Sequence, residues 1–197
     1  MSRVLHQLPR SPFSRKARWL LRFKRCEASI VDVANRAEIE RISGQTDLPV
    51  LVVDDRIVAG AKAIALHLER EVPEPSFFPL DPRRRNQAVT LDAFADAAFG
   101  RPLVALFPDR VALAADPKEG TAASLGGAFA DLREALERTR EGIRRGALDT
   151  DGVHLGDIAV AAQLVSVREI PALRFARDYP DLDLYVERVR TACGAGE

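Results

Sequence analysis

The sequence predicts an α/β unit followed by an all-helical unit, and three observations predict it. Up to residue 72, strand-like and helical stretches alternate in the order strand, helix, strand, helix, strand, strand, helix. Four prolines, Pro73, Pro75, Pro79 and Pro82, then fall within ten residues and mark a linker. Beyond them every apolar pattern has helical spacing. The division is therefore residues 1–75, a linker over 73–82, and residues 82–197.

Each element has a local reason. Residues 3–8 read as a short strand ending in a turn at Pro9. A helix follows from Pro12 to about Lys24, because proline suits the first helical position and Phe13, Ala17, Leu20 and Leu21 share a face. Residues 28–33 are β-branched and bounded by charge, which predicts a second strand. Residues 35–43 carry Ile39 and Ile42 three apart, a weaker helix. Pro49 to Asp54 reads as a buried strand, and residues 50–59 as a hairpin turning at Asp55 and Arg56. Ile64, Leu66, Leu68 and Val72 place a helix over 61–72. In the second unit, Asp81-Pro82 caps and opens a helix with Leu91, Phe94, Ala95 and Ala98 on its apolar face. Gly100-Arg101-Pro102 should break or kink it. Asp116 to Glu119 reads as a capping box, followed by the stripe Leu125, Phe129, Leu132 and Leu136, with Gly146 as the stop. Ile158 to Val167 is nearly all apolar and should form a central helix buried all round. Pro171 and Pro180 open two short final helices.

Composition narrows the function. The 197 residues are 47% apolar, enough for a sizeable core. There are 29 basic and 29 acidic side chains, and a net charge of zero argues against a general nucleic-acid binder. No apolar run reaches the roughly 20 residues that span a bilayer. The balance is uneven along the chain: residues 1–25 hold eight Arg or Lys and no acid, leaving 21 bases against 29 acids elsewhere. Cys26 and Cys193 make neither a disulfide framework nor a CxxC pair, and read as thiols of a reducing cytoplasm. No metal-ligand spacing is present. The excess of Arg over Lys, with abundant Ala, suggests a high-GC, bacterial genome.

Three motifs sit on this frame. Ser11-Pro12-Phe13-Ser14-Arg15-Lys16-Ala17-Arg18 spans the first strand-helix turn, Asp47-Leu48-Pro49-Val50-Leu51 precedes the third strand, and Leu155-Gly156-Asp157-Ile158-Ala159 begins the apolar helix. In this order they resemble the cytosolic glutathione S-transferase superfamily, over nearly the whole chain. The resemblance implies a thioredoxin-like N-terminal domain followed by an all-helical C-terminal domain, and a homodimer.

The resemblance makes Ser11 the catalytic residue, donating a hydrogen bond to the thiolate of glutathione. Physics agrees, because a helix N-terminus favours an anion and lowers a thiol pKa. The competing reading is a simple N-cap at Ser11. Ser14, one turn on, is the lesser candidate. Arg15, Lys16, Arg18 and Arg22 point several ways and read mostly as a solvated face. Their common sign suggests a positive field near Ser11. The resemblance also implies a cis Pro49, with the main chain of Leu48 pairing to glutathione. Phe13, Gly60, Ala61 and Lys62 complete the implied glutathione site, and Phe94 and Phe99 an electrophile pocket. Asp157 reads as structural.

The pattern fails at Gly60 and Ala61, where relatives usually carry an acidic or amide residue and a serine. Both side-chain contacts to the γ-glutamyl end are missing, leaving helix N–H groups. His154 stands where the late motif usually has a Ser or Thr cap. Three functions follow as expectations. One is conjugation of glutathione, a co-substrate with no other cofactor, to a small hydrophobic electrophile. Another is a non-catalytic binding module of the same fold. The third is an enzyme for another small thiol or anion.

Overall fold

A computed structural model describes residues 2–34, 36–107, 122–146, 148 and 152–195. The α/β unit runs β1 (Arg3–Gln7), α1 (Pro12–Phe23), β2 (Ser29–Asp32), α2 (Arg36–Ser43), β3 (Val50–Val53), β4 (Arg56–Ala59) and α3 (Ala61–Glu71). Its strands lie in the order β2-β1-β3-β4, with β1–β2 parallel and the other two pairs antiparallel. Period-two alternation then sorts the side chains. Leu5, Leu51 and Val53 face the main core with α1 and α3, while Val50 and Val52 turn to Ile39 of α2.

The helical unit runs α4 (Pro82–Ala95), α5 (Arg101–Leu106), α6 (Ala122–Arg144), α7 (Leu155–Arg168), α8 (Phe175–Asp178) and α9 (Pro180–Ala192). The stretch expected to break or kink does neither. Asp96–Gly100 forms a π-helical turn that passes directly into α5. A proline ring collides with the carbonyl four residues back in a regular helix, and the wider turn relieves that contact. Pro180 opens thirteen residues, longer than the short helix expected. The capping box at Asp116 to Glu119 lies outside the described residues.

Helix α7 is the hub. It packs against α4, α1 and α9, and every residue but Val165 and Arg168 is buried. Asp157 accepts from the His154 N–H (3.1 Å) and from the Tyr185 hydroxyl (2.9 Å), so it closes the helix start and ties it to α9. Burial raises its pKa. Gly156 is required by contact: a Cβ there would lie 2.7 Å from Leu91 Cβ and 2.9 Å from the Ala88 carbonyl oxygen. The linker is docked as well. Phe77 and Phe78 are buried, Glu69 accepts from the Phe77 N–H at 2.9 Å, and the Phe77 carbonyl accepts from Leu155 N–H at 2.9 Å.

The basic first helix is largely not a solvated face. Lys16 is buried against Asp92 (2.5 Å) and Asp96 (3.2 Å) of the helical unit. Arg15 is buried too and donates to Ser166 Oγ (2.7 Å) and the Ala162 carbonyl (3.2 Å) of α7. Lys24 meets Glu69 at 2.5 Å and covers the Phe77 ring. Arg22 does remain exposed. The cations of α1 find acids and carbonyls far away in sequence, which local pattern could not show.

Two outcomes test this packing. Gly156→Ala should lose about 1–3 kcal/mol in urea unfolding, because overpacking against α4 outweighs the helix-propensity gain of up to about 1 kcal/mol. A neutral or stabilised variant would remove the close approach. Burial, opposed by Lys16 and reinforced by Asp92, raises the pKa of Asp96 above its ordinary 3.8. A carboxyl that binds its proton more tightly folded than unfolded adds stability as pH falls through the folded value. Any advantage of Asp96→Asn at pH 7 should therefore shrink as pH falls through that raised value toward the ordinary 3.8, read as the difference in urea midpoints. A difference independent of pH would count against it.

Candidate active site

Strand register brings three turns to one edge of the sheet. His6 pairs with Val50, and Val50 with Ala59. Thus the end of β1, the start of β3 and the end of β4 lie side by side. The segments that follow or precede them are Leu8–Ser11, Leu48–Pro49 and Gly60–Ala61.

In the first turn, the Ser11 N–H donates to the Leu8 carbonyl at 3.1 Å, and Ser14 Oγ accepts from the Leu8 N–H at 3.2 Å. Ser14 is thus a buried strut of the turn. Ser11 takes the N-cap position in extended conformation, yet its side chain makes no capping bond. The simple N-cap reading therefore lacks its defining contact. Ser11 is also fully buried, at 0% exposure. Phe13 packs on the π-turn: a Cβ on Gly100 would lie 2.7 Å from Phe13 Cζ.

The Leu48–Pro49 peptide bond is cis, as expected. The Pro49 carbonyl accepts from the Gly60 N–H at 2.8 Å, joining the second and third turns. Leu48 is half-buried, and its main chain makes no hydrogen bond among the described residues. Gly60 has φ +89°, a conformation that side chains with a Cβ rarely adopt, although nothing lies within 4 Å of where that Cβ would be. Conformation, not space, therefore holds glycine at this position. Gly60 caps α3 without any side-chain bond, Ala61 is buried and Lys62 exposed. What these three offer an anion is the N-terminus of α3.

From the helical unit, α4 and the π-turn face α1 through Lys16. Phe94 is half-buried, edge-on to Phe99 with centroids 6.0 Å apart, and lies under the Arg138 guanidinium at 4.7 Å. Phe99 is fully buried and belongs to the core. It therefore shows no surface to an open pocket. The Asp92 and Asp96 partners of Lys16 were missed by sequence reasoning, though two acids four apart opposite a basic helix were the available signal.

His67 lies 3.3 Å from Glu71, His154 Nδ1 lies 3.1 Å from the Gly152 carbonyl, and burial lowers the pKa of His6. Burial, then the Asp157 charge, pushes the Cys193 thiol up to about 12, so it is a poor nucleophile. Among the described residues, no group of three or more His, Cys, Asp or Glu could hold a metal ion, and no helix is long and apolar enough to cross a membrane.

Comparison with known proteins agrees with this architecture. A sequence profile described as the glutathione S-transferase N-terminal domain matches residues 5–76. No curated protein matches the chain. Among solved structures, a glutathione S-transferase from Rhodospirillum rubrum is 25% identical, with a TM-score of 0.77 over 95% of this chain and 87% of its own. One from Methylobacterium radiotolerans in complex with glutathione sulfonate is 22% identical, TM-score 0.79, over 96% and 91%. One from Methylobacillus flagellatus with glutathione bound is 20% identical, TM-score 0.78, over 96% and 95%. Residues 5–76 belong to the glutathione S-transferase N-terminal domain family, and the chain as a whole has the glutathione S-transferase fold.

Proposed function

We propose that the protein binds glutathione at the three-turn edge and presents its thiolate at the Ser11 turn for attack on a small hydrophobic electrophile. The observation that carries this reading is the unpaired main chain of Leu48 beside Pro49. A strand-like N–H and C=O there match a peptide-like ligand whatever the side chain. The N-terminus of α3 at Gly60-Ala61 suits a ligand carboxylate, and the N-terminus of α1 favours the thiolate over the thiol. Two fold neighbours carry glutathione or glutathione sulfonate, which supports the same ligand class. Ser11 would stabilise the thiolate and form no covalent bond. Glutathione is then a co-substrate, and no further cofactor is required.

A second reading has its own observation. Ser11 is fully buried, and Gly60 and Ala61 offer no side-chain hydrogen bond. Those facts favour a binding module of this fold without turnover. The two readings separate on glutathione resin and in a conjugation assay. Under the first, the protein is retained, and Ser11→Ala lowers turnover roughly 10²-fold, as loss of one donor to a developing anion does, with little change in affinity. Failure to be retained, with folding intact by circular dichroism, would refute the first reading. Retention with an unchanged rate in Ser11→Ala would remove Ser11 from the chemistry.

A homodimer follows as part of the same proposal. Ile57, Leu66, Leu80 and Val89 are exposed apolar residues of β4, α3, the linker and α4, and Leu80 is 99% exposed. Sedimentation should show a species twice the chain mass. A concentration-independent species near 21.6 kDa would overturn it.

A further inference from the structure

Strand β2 is the outer strand on one side of the sheet, and among the described residues nothing pairs beyond it. Its open main-chain groups can be assigned. The Val33 N–H donates to the Gln7 carbonyl at 2.9 Å, so Val33 faces β1. Alternation then turns the groups of Val31 and Ser29 toward β1 as well, and those of Ile30 and Asp32 outward. The strand carries one charge, Asp32, whose carboxylate accepts from the Gln7 side-chain amide at 2.9 Å. All four residues are exposed, Ile30 by 46% and Val31 by 38%, and it holds neither lysine nor proline. Lysine and proline are two of the devices that blunt natural edge strands.

Next to this edge lies a strongly basic groove. Ile30 and Asp32 share a face with their β1 partners Leu5 and Gln7, the face on which Arg18 of α1 reaches the Gln7 side chain. A cavity of about 850 Å³ opens there, lined by Arg18, Arg22 and Arg25 with Leu21, Ala28 and Ile30. Glu27 is also on its wall. Arg18 donates to neutral partners, the Gln7 amide oxygen and the Pro9 carbonyl. Burial, then the charges of Arg15 and Arg22, lowers its pKa to about 10. This groove is separate from the three-turn edge, since none of Ser11, Leu48, Pro49 or Gly60 lines it.

We propose that the edge of β2 docks an extended acidic segment of a partner protein. The segment adds as a fifth strand, bonding the outward groups of Ile30 and Asp32. Its alternate side chains then fall on the α1 face, where carboxylates meet Arg18, Arg22 and Arg25. Main-chain pairing supplies affinity, and the arginines select an acidic partner with period-two spacing. The proposal stands whether or not the protein conjugates glutathione.

The test uses the full chain and a fluorescein-labelled peptide of alternating Glu and Val between Gly-Ser ends, followed by anisotropy at low salt. A control peptide of the same composition carries its Glu residues in one block. The alternating peptide should bind saturably and more tightly than the control. Arg22→Glu with Arg25→Glu, both at exposed positions, should weaken it at least about tenfold. Ile30→Pro deletes an outward donor at an edge position where proline is tolerated, and should also weaken it. In the unaltered protein, hydrogen exchange should slow at the amides of Ile30 and Asp32 when the peptide binds. Absence of binding would overturn the proposal. So would equal affinity for both peptides, or binding that survives Ile30→Pro without protection of those amides, since either result describes attraction of a polyanion and not strand addition.

Discussion

The buried ammonium of Lys16 between Asp92 and Asp96 is the contact on which the arrangement of the molecule depends. A cation removed from water must find charged partners, and this one finds them on the other unit of the chain. A buried ion pair of this kind contributes little net stability against an apolar substitute. Its consequence is positional: α1 can meet α4 and the π-turn in few ways that keep Lys16 paired. Phe13 then seats on Gly100, and the Ser11 turn is held against the helical unit. Arg15 repeats the logic on α7 through Ser166 and the Ala162 carbonyl.

These contacts change the meaning of the acid-free first 25 residues. As sequence, their common sign suggests a positive field around Ser11. In the structure, Arg3, Arg15, Lys16 and Lys24 each meet an acid from a distant element: Glu71, Glu169, Asp92 with Asp96, and Glu69. Much of that charge is thus compensated inside the fold. Of the cations that stay exposed, Arg22 and Arg25 lie toward the far end of α1, beside β2, and Arg10 adjoins Ser11. An anion at the Ser11 turn would meet helix N-termini, open main chain and one exposed cation, Arg10. That fits a site in which Gly60 and Ala61 bring no side-chain polarity.

Most elements were legible because their causes are local. Pro12 and Pro82 open helices, the apolar run of Val50 to Val53 makes a buried strand, and the nearly all-apolar run of α7 makes a central helix. The π-turn was not legible. Gly100 and Pro102 read as a break, and the chain stays helical because Phe13 covers one side of Gly100 while Phe99 is locked in the core. At the site, the cis bond at Pro49 and the structural role of Asp157 were readable from the motifs. The burial of Ser11, the use of Ser14 as a strut and the withdrawal of Phe99 into the core were not.

The sequence by itself determined the order of elements, their apolar faces and the turn residues at Ser11, Pro49 and Gly60, since propensity, periodicity and proline or glycine geometry act within a few residues. Tertiary structure decided which charges are buried, which hydroxyls are reachable and which strand edge is left open. Those properties depend on partners dozens of residues away. Lys16 looks like any surface lysine until Asp92, 76 positions later, is folded against it.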